Sequence, residues 1–299
     1  MVREVTPVHY IVFDLEWNSV KSPKDGKYIN EIIEIGACAM DARFKKTQLF
    51  HQPVKPVISK KLNKYVRELT HITEDELKNA EDFKTAINTF ADWCRRIDKD
   101  CVFLSWSNTD LHVLLENYIT FFQLRDIPFM QKYCDLQKYS MQFINNDSNQ
   151  QISLSSAADY FEIDTDQFSL HRACDDSMIC AQILKLTYQK KQFGAHVIKV
   201  KETDYYERLL FKPYYITDLN DPAIDQKEFI VSCPACKTTM NKISSIKMHD
   251  KAFHAIFKCK TCNKKYGLTV RFKKTFDSIV VTRAVKGITP KQKKINVKQ

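Results

Sequence analysis

The stretch Tyr10-Ile11-Val12-Phe13-Asp14-Leu15-Glu16-Trp17 is almost wholly apolar and is broken only by two acids. A strand wetted on one face alternates, whereas one buried on both faces reads as a continuous apolar run, so this segment belongs in the middle of a sheet. Residues two apart on a strand leave by the same face. Asp14 and Glu16 therefore share one side, while Phe13, Leu15 and Trp17 point to the other. Two carboxylates in one buried spot repel each other and lose hydration, and something must neutralise them. A divalent cation does so, and Mg²⁺ or Mn²⁺ suits because both prefer oxygen ligands, keep waters and bind substrate phosphate. The bland alternative is an acid pair on the wet face of an edge strand.

The following sequence extends the sheet. Ile32 to Met40 and Thr47 to Gln52 read as two further strands of an antiparallel meander. Glu81 to Ile97 carries apolar residues at the spacing of an amphipathic helix. Cys101 to Trp106 reads as a short strand, and Asp110 to Phe122 as a helix with Asn108 and Thr109 as candidate caps. Leu154 to Tyr160 and Asp175 to Thr187 read as helices. Three strands followed by alternating helices and a strand predict an α/β fold, a mixed sheet with helices on it. Residues 201–227 contain Pro213 and Pro222 and show no sustained period, so we expect three parts: a domain over 1–200, a connecting segment over 201–227 and a second domain over 228–299.

Further acids stand in settings that suit a metal-dependent hydrolase. Asp110 follows a short apolar strand and opens a helix, and His171-Arg172-Ala173-Cys174-Asp175-Asp176 leads into the last helix of the first part. Such an enzyme needs three or four carboxylates around two cations ~3.5 to 4 Å apart, and a base for the attacking water. A histidine near neutrality fits the last role. Helical spacing alone leaves both Asp175 and Asp176 open as the metal ligand.

Asp14-x-Glu16, Asp110 and His171-x4-Asp176, in that order over roughly residues 8 to 190, resemble the three motifs of the DEDDh family of 3′→5′ exonucleases. Leu69-Thr70-His71-Ile72-Thr73 is similar to the Leu-Thr-Gly-Ile-Thr element of the group around the histone-mRNA and small-interfering-RNA exonucleases, with His71 where glycine is usual. The resemblance implies a ribonuclease-H-like mixed sheet with helices on both faces. It assigns two Mg²⁺ or Mn²⁺ ions to Asp14, Glu16, Asp110 and Asp176, and the general base to His171. It also implies contacts to nucleic acid from Leu15, Trp17, Thr70 and Ile72. A zinc-type module after the nuclease part points within this family to apoptotic DNA degradation, a homodimer and other apoptotic nucleases as partners.

That module is legible by itself. Cys233-Pro-Ala-Cys236 and Cys259-Lys-Thr-Cys262 form two CxxC knuckles separated by 22 residues, the pattern of one structural Zn²⁺ held by four thiolates. Alternation around the second knuckle indicates a small zinc-binding β domain. His249 and His254 lie between the pairs as substitute ligands, although four cysteines already close such a site.

Charge separates the two parts. The formal net charge is +10, but residues 1 to 225 hold 28 basic and 33 acidic side chains, and residues 226 to 299 hold 18 and 3. The first part is thus mildly acidic and the second carries +15, which suits a polyanion: single- or double-stranded DNA or RNA. Lys264, Lys265 and Arg271, close to Tyr266 and Phe272, are the candidate contacts. The same aromatics also fit a core.

The remaining composition excludes other classes. Hydrophobic residues at 44% and charged residues at 27%, with 5 Gly and 9 Pro, rule out collagen-like and wholly disordered chains. No apolar run approaches the ~18 residues of a membrane span, and the opening residues lack a signal-peptide layout. Six single cysteines read as reduced, buried residues of an intracellular protein of nucleus or cytoplasm. The expected function is a divalent-metal-dependent exonuclease releasing nucleoside 5′-monophosphates; the competing class is a non-catalytic nucleic-acid-binding scaffold on the same fold.

Overall fold

The computed structural model describes residues 9–22, 26–59, 61–144 and 151–288. The chain forms two compact units, Met1–Leu210 and Phe211–Gln299.

The first unit is built on strands β1 (Tyr10–Lys21), β2 (Tyr28–Met40), β3 (Lys46–Lys55), β4 (Glu81–Asp82), β5 (Val102–Ser105), β6 (Lys132–Asp135) and β7 (Ile198–Lys199). Their order is β4-β3-β2-β1-β5-β6-β7, which puts β1 at the centre, antiparallel to β2 and parallel to β5. The helices are α1 (Lys64–Thr70), α2 (Glu74–Lys78), α3 (Phe83–Ile97), α4 (Asn108–Phe122), α5 (Leu136–Ser140), α6 (Leu154–Tyr160), α7 (Ala173–Thr187), α8 (Lys190–His196) and α9 (Tyr205–Leu210).

Alternation along β1 explains both layers. Ile11, Phe13 and Leu15 enter a core with Phe83 and Phe90 of α3 and Leu111 and Leu114 of α4. Tyr10 and Val12 enter a second core with Ala157 of α6 and Ile179 and Ile183 of α7. Truncating a fully buried ring such as Phe13 to alanine costs about 3 to 5 kcal/mol.

Several boundaries differ from the sequence reading for local reasons. Glu81 and Asp82 pair with Val54 and Lys55, so α3 begins at Phe83, capped by Asp82, which accepts from Thr85 N at 2.9 Å. Ser107, and neither Asn108 nor Thr109, caps α4, accepting from Thr109 N at 3.2 Å; this sets Asp110 in the first turn. The strand expected over 101–106 spans Val102–Ser105, and the last long helix opens at Ala173. Among the single cysteines, Cys174 is half-buried and the other five are buried.

The second unit is a β domain of β8 (Tyr214–Tyr215), β9 (Asn241–Lys242), β10 (Lys247–His249), β11 (Ala252–Lys258), β12 (Lys265–Lys274) and β13 (Ile279–Gly287), ordered β10-β11-β12-β13 with β8 on β12 and β9 on β11. Phe253, Ala255 and Phe257 of β11 and Leu268, Val270 and Phe272 of β12 form its core with Phe229, Val231 and Met240. The stretch expected to connect two domains is divided between them. Tyr206 of α9 packs in the first unit, whereas Ile216 and Ile224 are buried in the second.

Candidate active site

β1 carries Asp14 and Glu16 on the face toward α7, with Asp14 opposite Gly36 and Glu16 opposite Glu34 of β2. A bulge follows immediately, since Trp17 pairs with Ile32, which sharpens the twist where the strand leaves the site. Asp110, in the first turn of α4, is buried and accepts from Leu15 N at 3.3 Å, so a helix start is fastened to the strand between the two acids. The helix α7 starts one residue after Arg172, which leaves His171 before the helix in the left-handed region at φ 63°. From there Asp176 turns into the site, buried, and its carboxylate accepts from the His171 backbone N–H. Asp175 instead accepts from Ser169 N at 2.8 Å.

Gly36 makes this approach possible. A β-carbon there would stand 2.1 Å from Ala173 C, so only glycine lets the start of α7 lie against β2 and carry Asp176 over Asp14. The signal was present in the sequence as a glycine inside an apolar strand, which often marks close approach of another backbone.

Asp14, Leu15, Glu16, Trp17, Asp110, His171 and Asp176 line one crevice of about 580 Å³ with Asn63, Tyr65, Leu69, Thr70 and Trp106. Its α1 wall is held by buried Asn18, whose Nδ2 donates to Lys61 O at 3.1 Å and whose Oδ1 accepts from Asn63 N at 2.9 Å. Of the residues expected to touch nucleic acid, Leu15, Trp17 and Thr70 line the crevice. Ile72 does not: it is buried with Ile33, Leu62 and Leu77. The left-handed His71, φ 58°, ends α1 and turns the chain there, sending Ile72 inward. Tyr65 and Trp106 escaped the sequence reading, although each stands four residues before a motif, at Leu69 and at Asp110.

The electrostatics explain what the site requires. Burial, with Asp110 and Glu16 adding repulsion, holds the Asp14 carboxyl well above the usual carboxylate range. Burial likewise pushes Glu16 up to about 9, Asp110 to about 7 and Asp176 to about 6. Asp176 Oδ1 is buried without a hydrogen-bond partner. Ligand atoms of Glu16, His171 and Asp176 lie within 4.8 Å of one another. An acceptor left unsatisfied among four acids that resist ionisation fits a divalent cation, which would return all four to their charged forms. Burial and the neighbouring His71 hold His171 below the ordinary imidazole value, leaving a neutral ring able to accept a proton near pH 7.

The sequence profile of the exonuclease family matches residues 11–184, more than half of the chain. The chain belongs to the exonuclease family. Asp14, Glu16, Asp110, His171 and Asp176 all fall within the matched residues. Among curated proteins none matches the chain by sequence. Among solved structures it is similar to cell-death related nuclease 4 (CRN-4), with 22% identity, a TM-score of 0.51, and coverage of 60% of this chain and 62% of that one. It is similar to a 3′-exonuclease solved with a histone mRNA stem-loop, with 20% identity, a TM-score of 0.53, and coverage of 64% and 84%. A third is the nuclease domain of 3′hExo, a DEDDh family member bound to rAMP, with 20% identity, a TM-score of 0.51, and coverage of 61% and 92%. The likeness thus spans less than two thirds of the cell-death related nuclease, and at these identities it establishes the fold.

In the second unit the Cys233, Cys236, Cys259 and Cys262 sulfurs lie within 4.8 Å of one another. Cys233 Sγ and Cys262 Sγ are 3.7 Å apart, near the ~3.8 Å edge of a tetrahedron with Zn–S bonds of about 2.3 Å. The knuckles repeat one geometry. Cys236 N and Cys262 N each donate to the preceding cysteine's sulfur at 3.5 Å, and Lys237 and Asn263 both turn at φ 60°. The Cys262 N–H, with the Thr238 hydroxyl, holds the Cys259 thiol down to about 6, and four sulfurs at this spacing suit one zinc ion. His254 is engaged elsewhere, by Thr269 and by the His249 carbonyl.

Lys264 and Lys265 are exposed beside this centre, and Arg271 reaches Asp250 at 3.6 Å. Phe272 is core; Tyr266 directs its hydroxyl to Cys233 Sγ at 3.9 Å. Among the described residues no helix is long and apolar enough to cross a membrane.

Proposed function

We propose that this chain is a divalent-metal-dependent 3′→5′ exonuclease that removes nucleoside 5′-monophosphates from DNA or RNA. The observation that carries the reading is the buried, unpartnered Asp176 Oδ1 in a crevice shared with Asp14, Glu16, Asp110 and His171. Asp14, Glu16, Asp110 and Asp176 hold two Mg²⁺ or Mn²⁺ ions. Bound there, the ions supply Lewis acidity for the attacking water and the departing 3′ oxygen. His171 takes the proton of the attacking water on an imidazole nitrogen. The water oxygen bonds to phosphorus, the P–O3′ bond breaks, and the shortened strand keeps a 3′ hydroxyl. Trp17, Tyr65 and Trp106 offer apolar surface to the terminal base, and Leu15 and Thr70 shape the crevice around it.

The zinc domain, with Lys264, Lys265 and Arg271, supplies phosphate contacts to single or double strands. The likeness to a 3′-exonuclease that recognises a histone mRNA stem-loop supports an RNA substrate; a DNA substrate, a part in apoptotic DNA degradation, a homodimer and partner nucleases belong to the proposal through the motif resemblance noted in the sequence. Matched DNA and RNA strands labelled at the 5′ end, incubated with Mg²⁺ or EDTA, test it. A ladder shortening from the 3′ end only with Mg²⁺ is expected; an unchanged band with both would leave a binding scaffold instead.

A further inference from the structure

Glu34 is a fifth acid beside the four, directly across the strand pair from Glu16, and only 1% exposed. It does not line the crevice. Its Oε1 accepts from Arg172 Nη2 at 2.6 Å, from Arg172 Nε at 3.1 Å and from His51 Nε2 at 2.7 Å, while Oε2 accepts from Ala173 N at 2.9 Å. Arg172 Nη2 also donates to Glu76 Oε1 at 2.8 Å, on the helix that follows the Thr70–Thr73 segment.

Stability alone gives little reason for this arrangement. A buried ion pair roughly breaks even against apolar residues of the same volume, and the Glu34 charge works against ionising Asp14, Glu16 and Asp176. What Glu34 does hold is the residue after His171 and the first N–H of α7. A non-glycine residue at φ 63° is strained and persists only where its surroundings over-determine it. The Arg172 fork, the Ala173 N–H and the Arg172 N to Ser169 O bond of 3.2 Å supply that constraint. The imidazole belongs to the one turn residue whose backbone the latch strains.

Building on the catalytic reading above, we propose that Glu34 and Arg172 are positioning residues that aim His171 at the reacting water by clamping its turn between β2 and α2. Asp14 and Glu16 are held by β1, and Asp176 by the packing of α7 and by the Glu34 bond to the Ala173 N–H, which a change at Arg172 leaves in place. The Arg172 arm of the latch therefore acts on the proton transfer and leaves metal and substrate affinity alone.

The test compares full-length wild type, R172Q, H171A and R172Q/H171A in single-turnover cleavage at saturating Mg²⁺ and substrate. R172Q is expected to be about 10- to 100-fold slower than wild type, the range typical of supporting residues at metal sites, with the Mg²⁺ and substrate dependences unchanged. On the H171A background the same change should alter the rate by less than about twofold, because the residue it aims is gone. R172K, which keeps the charge but cannot fork between Glu34 and Glu76, should give the same pattern and replaces R172Q if that variant melts early. A wild-type rate in both Arg172 variants beside a crippled H171A would overturn the proposal alone. So would an equal loss in both backgrounds, which would make the latch merely structural. An H171A protein as fast as wild type would remove the catalytic reading of His171, and this inference with it.

Discussion

Gly36 and Ala173 meet backbone to backbone: a β-carbon on the glycine would lie 2.1 Å from the alanine carbonyl carbon. Neither atom belongs to a flexible side chain that could swing aside. Gly36→Ala must push the start of α7 off the sheet, and overpacking of this kind costs about 1 to 3 kcal/mol or more. We expect a lower melting temperature together with loss of cleavage, because Asp176 and His171 move with the helix. A variant that melts and cuts like wild type would contradict the close approach.

Asp14→Asn should abolish hydrolysis, by more than the hundredfold typical of supporting residues, while leaving the metal-free fold as stable as wild type or more so. The amide replaces a carboxyl that burial and the neighbouring Asp110, Glu16 and Asp176 hold against ionisation. Thermal melting in EDTA and end-labelled cleavage in Mg²⁺ check both halves.

The same cluster fixes a pH dependence of stability. The folded-state values of Glu16, Asp110 and Asp176, about 9, about 7 and about 6, all exceed those of ordinary carboxyls. Groups shifted upward stabilise the fold fully below their unfolded values, and that contribution fades as pH rises through the folded ones. Metal-free protein should accordingly lose melting temperature steadily from about pH 5 to about pH 9. A divalent cation binding the charged forms should restore it, by about 2.7 kcal/mol at a hundred times Kd. A flat profile in EDTA would count against the burial of these acids.

His171→Ala should lower kcat by about 10² to 10⁴ with Mg²⁺ dependence intact. In the wild type, the rising limb of the rate against pH should fall below the ordinary imidazole value, since burial and His71 disfavour the protonated ring. Calorimetry showing that metal binding disappears along with the imidazole would make it a ligand.

For the second unit, Lys264→Ala with Lys265→Ala in a catalytically dead Asp14→Asn chain should weaken binding at low salt. Every phosphate these two lysines neutralise in the wild type should, in the variant, flatten the log-log salt slope by about 0.9 on duplex DNA and about 0.7 on single strands. Identical slopes would mean that these lysines face solvent only.

Much of this was legible in the chain because it is local. A run such as Tyr10 to Trp17 declares a central strand through its period, and each CxxC knuckle declares itself through spacing. Helical spacing alone did not decide between Asp175 and Asp176, since the choice turns on one residue of helix phase, and only the resemblance named Asp176; α7 starts at Ala173, whose N–H Glu34 takes. Glu34 and Gly36 carried visible signals, an acid and a glycine within the apolar strand Ile32 to Met40, but their partners lie far along the sequence. Ile72 shows the opposite failure. Its motif pointed to the crevice, and the left-handed turn at His71 sent it into a small core. The short strands β4, β6 and β7 hold too few residues to reveal a period.

The fastening of Asp110 to Leu15, and of α7 to Gly36, has a consequence for the chain while it is being made. Synthesis delivers Asp14 and Glu16 early, Asp110 later and Asp176 last, and the last acid takes its place only when its helix has docked on a finished sheet. A nascent chain therefore lacks one of the proposed metal ligands until α7 has been made and has docked. Cutting power arrives with closure of the domain rather than growing residue by residue, and any local opening that lifts α7 switches it off again.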